Sequence, residues 1–101
     1  QRSQDVLVAN NWNVVQYSVL VHMLAQVNDL EPGELVHVIA DAHIYDRHIP
    51  LVEELIKRPI YPAPKFIMNP YKKNFYEFTV DDFYLEGYQK NEQIKNIPVA
   101  I

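Results

Sequence analysis

The sequence predicts an α+β domain in which a mixed sheet packs against one long, buried helix. Three observations support this fold class. Residues 12–27 are mostly apolar over a helical length, short apolar segments elsewhere lie between turn signals, and 49% of the 101 residues are hydrophobic. A chain of this length and composition is expected to form one domain with a hydrophobic core, although it buries less of its surface than a larger chain does.

The first predicted elements are a strand and the long helix. Residues 1–8 are predicted to form the strand, and residues 10–13 a turn whose asparagines are good helix caps. The helix is predicted over residues 12–27. Because its side chains leave almost no polar face, it is expected to lie buried in the centre of the fold.

The middle of the chain predicts a second strand and a second helix. Residues 35–40 are apolar and β-branched and follow the turn signal Pro32-Gly33, which indicates a buried strand. Residues 49–58 have one apolar face, and Pro50 lies in the first turn, where its missing N–H costs nothing. Acidic residues that precede basic ones by four positions support a helix in this segment.

Two more strands are predicted in the last part of the chain, over residues 65–68 and 83–88. Residues 69–74 are predicted to form a loop, and residues 79–82 a turn with capping side chains. Residues 89–101 show little periodicity and predict no regular element.

Composition argues against several function classes. The net charge is −4 and no long basic segment occurs, so wholesale nucleic-acid binding is not expected. No apolar stretch reaches the roughly 18 residues that a membrane span needs. The chain has no cysteine and no compact set of histidines and carboxylates at zinc spacing, so neither disulfides nor a metal site are predicted.

The main candidate site is the polar segment Asp41-Ala-His-Ile-Tyr-Asp-Arg-His48, at the end of the predicted strand 35–40. His43 and Tyr45 are two positions apart, so on an extended backbone their side chains point to the same face. An imidazole beside a phenol suits one hydroxyl group that both donates and accepts hydrogen bonds. The alternatives are a surface pair or a satisfied core pair that binds no ligand.

Arg2 and Ser3 are a second candidate pair. A guanidinium fork next to a short hydroxyl donor can hold a phosphate group. The alternative is an ordinary strand end with a surface arginine. From the residues alone, the chain is therefore an α+β domain with a polar cleft.

A series of motifs extends along essentially the whole chain in one order and spacing. Its members are Gln1-Arg-Ser-x-Asp5, Asn13 at the start of the apolar helix, Pro32-Gly33, Asp41-x-His-x-Tyr-x-x-His48, Asp82-Phe83 with Gly87-Tyr88, and Val99-Ala-Ile101. This series resembles the C-terminal part of thymidylate synthase, the folate-dependent, non-flavin family. The resemblance implies that residues 1–101 are the C-terminal portion of a thymidylate synthase domain, cut from a longer protein.

The resemblance implies that the full-length protein methylates dUMP at C5, with methylenetetrahydrofolate as the donor of both the carbon and the hydride. It implies that Arg2 and Ser3 hold the nucleotide phosphate and that His43 and Tyr45 hold the sugar 3′-hydroxyl. Asn13 is implied to read the uracil edge, because an amide can donate to O4 and accept from N3–H.

Further roles come from the same resemblance. Asp5 and Ala100 are implied to contact the folate, and the segment that ends at Ile101 is implied to close over the occupied site. The family's nucleophilic cysteine lies upstream of Gln1, so this chain alone is expected to be inactive. A cytoplasmic homodimer is also implied.

The chain departs from the family pattern at residues 8–13, where the family usually has Leu-Gly-x-Pro-Phe-Asn. Ala9 replaces the glycine, Asn11 the proline and Trp12 the phenylalanine. Two alternatives stay open. These departures leave room for a dUMP or dCMP hydroxymethylase of the same superfamily, for which Asn13 favours uracil. The absence of cysteine favours the other, a catalytically inactive binding or dimerisation fragment.

Overall fold

The computed structural model describes residues 1–99 and divides them into two units. The first unit contains Gln1–Val14, His37–Tyr61 and the chain from Lys90 onward, and the second contains Val15–Val36 and Pro62–Gln89. Both units contain part of helix α1, Asn10–Val27. The α+β class is confirmed.

A parallel pair of strands organises the first unit. Strand β1, Ser3–Asp5, pairs with strand β2, Asp41–His43, so that Asp5 lies opposite His43. Side chains alternate along a strand, so Gln4 points to the opposite face from its two neighbours in β1. Strand β1 is shorter than the predicted 1–8 because residues 6–9 turn towards α1.

The strand predicted over residues 35–40 is wrong. Residues 31–39 have no regular structure, and β2 begins only at Asp41. Val36 and Val38 are 80% and 73% exposed, so this apolar segment is not buried either. An apolar, β-branched segment forms a strand only where another backbone pairs with it. In the described chain, only Val38 and Ala40 of this segment bond to the backbone of Gln1, and the ladder with β1 starts at Asp41.

Helix α1 begins earlier than predicted and is far more exposed. Its first turn includes the residues predicted as a turn, because the N–H of Asn13 donates to the carbonyl oxygen of Ala9 at 3.0 Å. Ala25 is the one buried residue of the helix as described, and Trp12 is 77% exposed. The expectation of a buried helix is wrong for residues 1–99, which do not supply packing partners on every side of α1.

Helix α2, Ile49–Leu55, follows a 3₁₀ turn at Asp46–His48. Pro50 occupies the first turn of α2 as predicted. The helix ends before the predicted residue 58, in agreement with the bias against helical backbone immediately before Pro59. Arg58 still forms the predicted i,i+4 ion pair with Glu54, with 2.5 Å between Nη2 and Oε1.

The second unit contains an antiparallel pair, strands β3, Lys65–Met68, and β4, Phe83–Glu86. The bounds predicted for β3 are confirmed, and β4 ends before Gly87, whose φ of 72° interrupts an extended strand. The single mixed sheet that was predicted is wrong for the described residues, because the parallel and the antiparallel pair are separate sheets.

Aromatic rings pack on the second sheet. The rings of Phe66 and Phe83 are stacked with centroids 6.0 Å apart, and Phe78 stacks on Phe83 at 5.5 Å. His22 of α1 lies 4.9 Å from the ring of Phe66. Such ring pairs contribute beyond the apolar area that they bury, so they help to hold this unit together.

The predicted capping turn before β4 is confirmed. The N–H of Thr79 donates to Oδ2 of Asp82 at 2.8 Å, and Nδ2 of Asn69 donates to Oδ1 at 2.7 Å. The Thr79 N–H, followed by the Asn69 amide, lowers the pKa of Asp82 below its ordinary value because these donors favour the charged carboxylate.

Among the helices of residues 1–99, none combines the length and apolarity that a bilayer span requires.

Candidate functional site

The side chain of Asn13, in the first turn of α1, is tied to the segment that contains β1. Its Oδ1 accepts hydrogen bonds from Nε2 of Gln4 at 2.8 Å and from Nε2 of Gln1 at 3.1 Å. A carbonyl oxygen has two lone pairs, so both are used. Within residues 1–99 the Nδ2 of Asn13 donates to no partner, and the reading of a uracil edge by this amide stays a prediction.

Gln4 is the buried member of this group, with 2% of its surface exposed. Its Nε2 binds Asn13, whereas its Oε1 is buried and has no hydrogen-bond partner in the described chain. No role was predicted for Gln4 from the sequence. The signal available in the sequence was its place between Ser3 and Asp5 in a predicted strand, which puts it on the face opposite to theirs.

Arg2 and Ser3 lie beside β2. The carbonyl oxygen of Arg2 accepts from the N–H of Asp41 at 3.1 Å, and Ser3 is paired with Asp41 in the ladder. Neither side chain forms a hydrogen bond or ion pair with another described residue, and Arg2 is exposed. The guanidinium and the hydroxyl thus remain available to an anion, and their phosphate role stays a prediction.

The rings of His43 and Tyr45 lie in edge-to-face contact, with centroids 5.1 Å apart. Nδ1 of His43 is 3.4 Å from Oδ1 of Asp41, and Tyr45 also contacts the ring of His48 at 5.6 Å. The structure therefore places the imidazole and the phenol next to each other on the β2 side of the first unit. Their role as ligands for a sugar hydroxyl stays a prediction.

Asp5 has a structural task in the described chain. Its Oδ1 accepts from the N–H groups of Leu7 and Val8 at 3.1 and 3.2 Å, which closes the turn between β1 and α1. Its position opposite His43 places it next to the candidate sugar contacts. Folate binding by Asp5 stays a prediction.

The 3₁₀ turn after β2 holds the end of the described chain. Nε2 of His48 donates to the carbonyl oxygen of Pro98 at 2.8 Å, and Nη1 of Arg47 donates to that of Val99 at 2.7 Å. His48 is 2% exposed and its Nδ1 has no partner within residues 1–99. The predicted folate contact Ala100 and the closing residue Ile101 lie outside the described residues.

The five predicted nucleotide contacts all belong to the first unit. Within residues 1–99 no hydrogen bond joins these side chains to one another; β1, β2 and the buried Gln4 provide the links between them. The same residues contain no group of three or more metal-ligating side chains. The five are Arg2, Ser3, Asn13, His43 and Tyr45.

An open cavity of about 430 Å³ in the second unit contains none of these predicted residues. His22, Gln26 and Met68 are among its lining residues, and an ion pair of 2.7 Å joins Lys73 to Asp29 at its edge. The hydrogen bond from Lys73, followed by its charge, lowers the pKa of Asp29. Because this cavity contains none of the five predicted nucleotide contacts, we place the candidate site in the first unit.

Comparison with known sequences identifies the family. The family profile described as thymidylate synthase matches residues 1–101. The chain belongs to the thymidylate synthase family. Thymidylate synthase from Bacillus licheniformis, strain ATCC 14580 included, is 47% identical to it over 93 residues, which are 92% of this chain and 33% of that protein.

The fold agrees with this membership. A solved structure, thermostable thymidylate synthase A from Bacillus subtilis, matches with a TM-score of 0.92 and 40% sequence identity. The match covers 96% of this chain and 35% of that one. The chain thus spans about a third of the length of the thymidylate synthases that it matches.

Proposed function

We propose that the complete protein containing this chain is a thymidylate synthase that converts dUMP to dTMP, with methylenetetrahydrofolate as the source of the carbon and the hydride. The observation that carries the proposal is the side chain of Asn13 in a chain of this family, because its donor end has no partner among residues 1–99. This chain supplies nucleotide contacts. The family's cysteine nucleophile must come from elsewhere in the protein, because the sequence has no cysteine.

In the proposed complex, Nδ2 of Asn13 donates to O4 of uracil. Both lone pairs of its Oδ1 are already used, by Gln4 and Gln1. For Oδ1 to accept from N3–H as well, one of these donors has to move, and Gln1 is the exposed one. The O4 contact is therefore the part of base recognition that needs no rearrangement.

The proposed phosphate ligands are Arg2 and Ser3, supported by their exposed or half-buried positions and by donors without another partner among residues 1–99. A guanidinium can bind two phosphate oxygens at once, which fixes orientation as well as adding affinity. His43 and Tyr45 are the proposed ligands of the 3′-hydroxyl, supported by the contact between their rings.

The folate side of the proposal involves Asp5 and Ala100, with closure of the segment that ends at Ile101. Closure of such a segment excludes water and completes the catalytic geometry. We further propose a cytoplasmic homodimer. The exposed apolar side chains of α1, including Trp12 and Val15, are the expected contact surface for the rest of the protein.

The test is product analysis with the complete protein. Incubation with dUMP and methylenetetrahydrofolate should give dTMP and dihydrofolate in equal amounts. Formation of 5-hydroxymethyl-dUMP with tetrahydrofolate would instead establish the hydroxymethylase alternative, which the unusual residues Ala9, Asn11 and Trp12 keep open. If the protein binds dUMP but converts none of it, the alternative of a catalytically inactive binding role would be correct.

A further inference from the structure

We infer that Gln4 is a positioning residue, which fixes the orientation of the Asn13 amide and so sets the preference for a pyrimidine that carries an acceptor at C4. The inference rests on the proposed function, because it concerns how that same site distinguishes uracil from cytosine. Its observations are the 2.8 Å bond from Nε2 of Gln4 to Oδ1 of Asn13 and the near-complete burial of Gln4.

The position of Gln4 makes it a firm support. It lies at the centre of β1, paired with Ala42 in the parallel ladder, and 2% of its surface is exposed. A side chain packed on a paired strand has few rotamers open to it. Gln1, the second donor to Asn13, is exposed, and its amide is also bound to the carbonyl oxygen of Ser3 at 2.9 Å and to Nε2 of His37 at 3.0 Å. Gln4 is the buried donor of the two and makes the shorter bond to the Asn13 amide, at 2.8 Å against 3.1 Å.

The direction of this bond decides which end of Asn13 faces a ligand. An amide that rotates by about 180° exchanges its oxygen and nitrogen, and its hydrogen-bond partners select between the two orientations. With Nε2 of Gln4 as the donor, the inward atom must be Oδ1, because Nδ2 in that place would put two donors together. The outward atom is then Nδ2, a donor.

An outward donor matches uracil and mismatches cytosine. Uracil offers the acceptor O4, whereas cytosine offers the donor N4–H₂ in the same place. A cytosine nucleotide would leave two donors facing each other, and unpaired polar groups in a site reduce binding strongly. Gln4 thus acts on base selection through Asn13 without touching the base.

The other end of Gln4 supports a specific role for its amide. Oε1 is buried and has no partner within residues 1–99, which is unfavourable. Methionine, which is similar in size, would fill the same space without this penalty. The bond to Asn13 is the contribution that a glutamine makes here and an apolar side chain cannot.

The experiment compares Gln4→Met and Gln4→Glu in the complete enzyme, with kcat/KM measured for dUMP and for dCMP. Gln4→Met removes the bond at similar volume, and the dUMP preference should fall roughly 2- to 10-fold. Gln4→Glu offers an acceptor, which attracts Nδ2 of Asn13 inward and turns Oδ1 outward. The preference should then fall further, by roughly 10- to 100-fold.

Gln16→Glu is the matched control, since it makes the same change at an exposed position of α1. It should leave the preference unchanged. An unchanged preference in both Gln4 variants, with only a lower thermal midpoint, would show that Gln4 is structural and overturn the inference. If Gln4→Glu does not fold, Gln4→Met decides alone.

Calorimetric binding of dUMP and dCMP separates this inference from the proposed function. A wild-type enzyme that binds dUMP but does not convert it would contradict the proposed reaction, while the ratio of dissociation constants would still report on Gln4. A wild-type enzyme that converts dUMP, with a ratio that the Gln4 variants leave unchanged, would contradict the role of Gln4 alone.

Discussion

The polar side chains next to the two sheets of this chain differ in how completely they are hydrogen-bonded within it. Next to β1, the amide of Asn13 has a donor and the buried Gln4 has an acceptor that find no partner within residues 1–99. Next to β4, both carboxylate oxygens of Asp82 accept hydrogen bonds, from Thr79 and Asn69. A group whose bonds are all satisfied inside the protein stabilises the fold, whereas a well-positioned group with a free atom can bind a ligand.

The aromatic packing of the two sheets differs in the same way as their hydrogen bonding. The second sheet carries stacked rings that include Phe66 and Phe83. The rings beside β2 belong to His43, Tyr45 and His48, which keep polar atoms at their edges. Substitutions in the first unit should therefore change ligand selection and affinity, and substitutions in the second unit should change stability.

The largest expected effect is on base selection at Asn13. In the complete enzyme, Asn13→Asp keeps an oxygen facing Gln4 and replaces the outward Nδ2 by an acceptor oxygen. The ratio of kcat/KM for dUMP to that for dCMP should fall by roughly 100-fold or more. The fall should stay smaller than the roughly 10⁴-fold discrimination of the best polar sites. An unchanged ratio would show that Asn13 has only a structural role in the first turn of α1 and does not contact the base selectively.

The next effect concerns the phosphate. Arg2→Ala in the complete enzyme should weaken dUMP binding by roughly 10- to 150-fold, because a hydrogen bond to a charged group is lost. Lys73→Ala is the matched control, since it removes a cation from the second unit. Calorimetry should give equal dissociation constants for the control and the wild type. Equal constants for Arg2→Ala and the wild type would refute the phosphate assignment.

A stability effect is expected in the second unit. Phe66→Leu keeps an apolar side chain but removes the ring contacts with His22 and Phe83. The free energy of unfolding should fall by about 0.5–1.5 kcal/mol for each ring pair lost. Denaturant titration measures this change, and the affinity for dUMP should stay as in the wild type. A selective loss of dUMP affinity would contradict the division between the two sheets.

The smallest effect is a pH dependence at Asp82. Its pKa is lower in the folded chain than the value of about 3.9 that an unfolded aspartate has, mainly because the N–H of Thr79 donates to it. Its stabilising contribution is therefore complete above that unfolded value and is lost as the pH falls through the folded pKa.

Denaturant titrations at neutral pH and down to about pH 3 test this linkage. Asp82→Asn should lose less stability on acidification than the wild type does, whereas the exposed neighbour Asp81→Asn should follow the wild type. Parallel curves for all three proteins would show that Asp82 has the same proton affinity in the folded and the unfolded chain.

Local chemistry accounts for the features that sequence analysis predicted well. The bounds of β3, the capping turn at Thr79 and Asp82, and Pro50 in the first turn of α2 all depend on neighbouring residues. Such features follow from backbone geometry and from side chains a few positions apart. The series of motifs likewise indicated the family from the sequence alone, because it depends only on order and spacing along the chain.

Pairing and burial were decided by tertiary structure. Residues 35–40 are apolar and β-branched, as in a strand. The ladder partner of Gln4 in β1 is nevertheless Ala42, which lies after this segment. The apolar pattern of α1 predicts burial without specifying what covers the helix, and residues 1–99 leave much of it exposed. The role inferred for Gln4 also required tertiary structure, because a sequence does not show which distant amide a buried donor will meet. Hydrogen bonds between elements and burial depend on residues far apart in the chain, and local composition does not record those contacts.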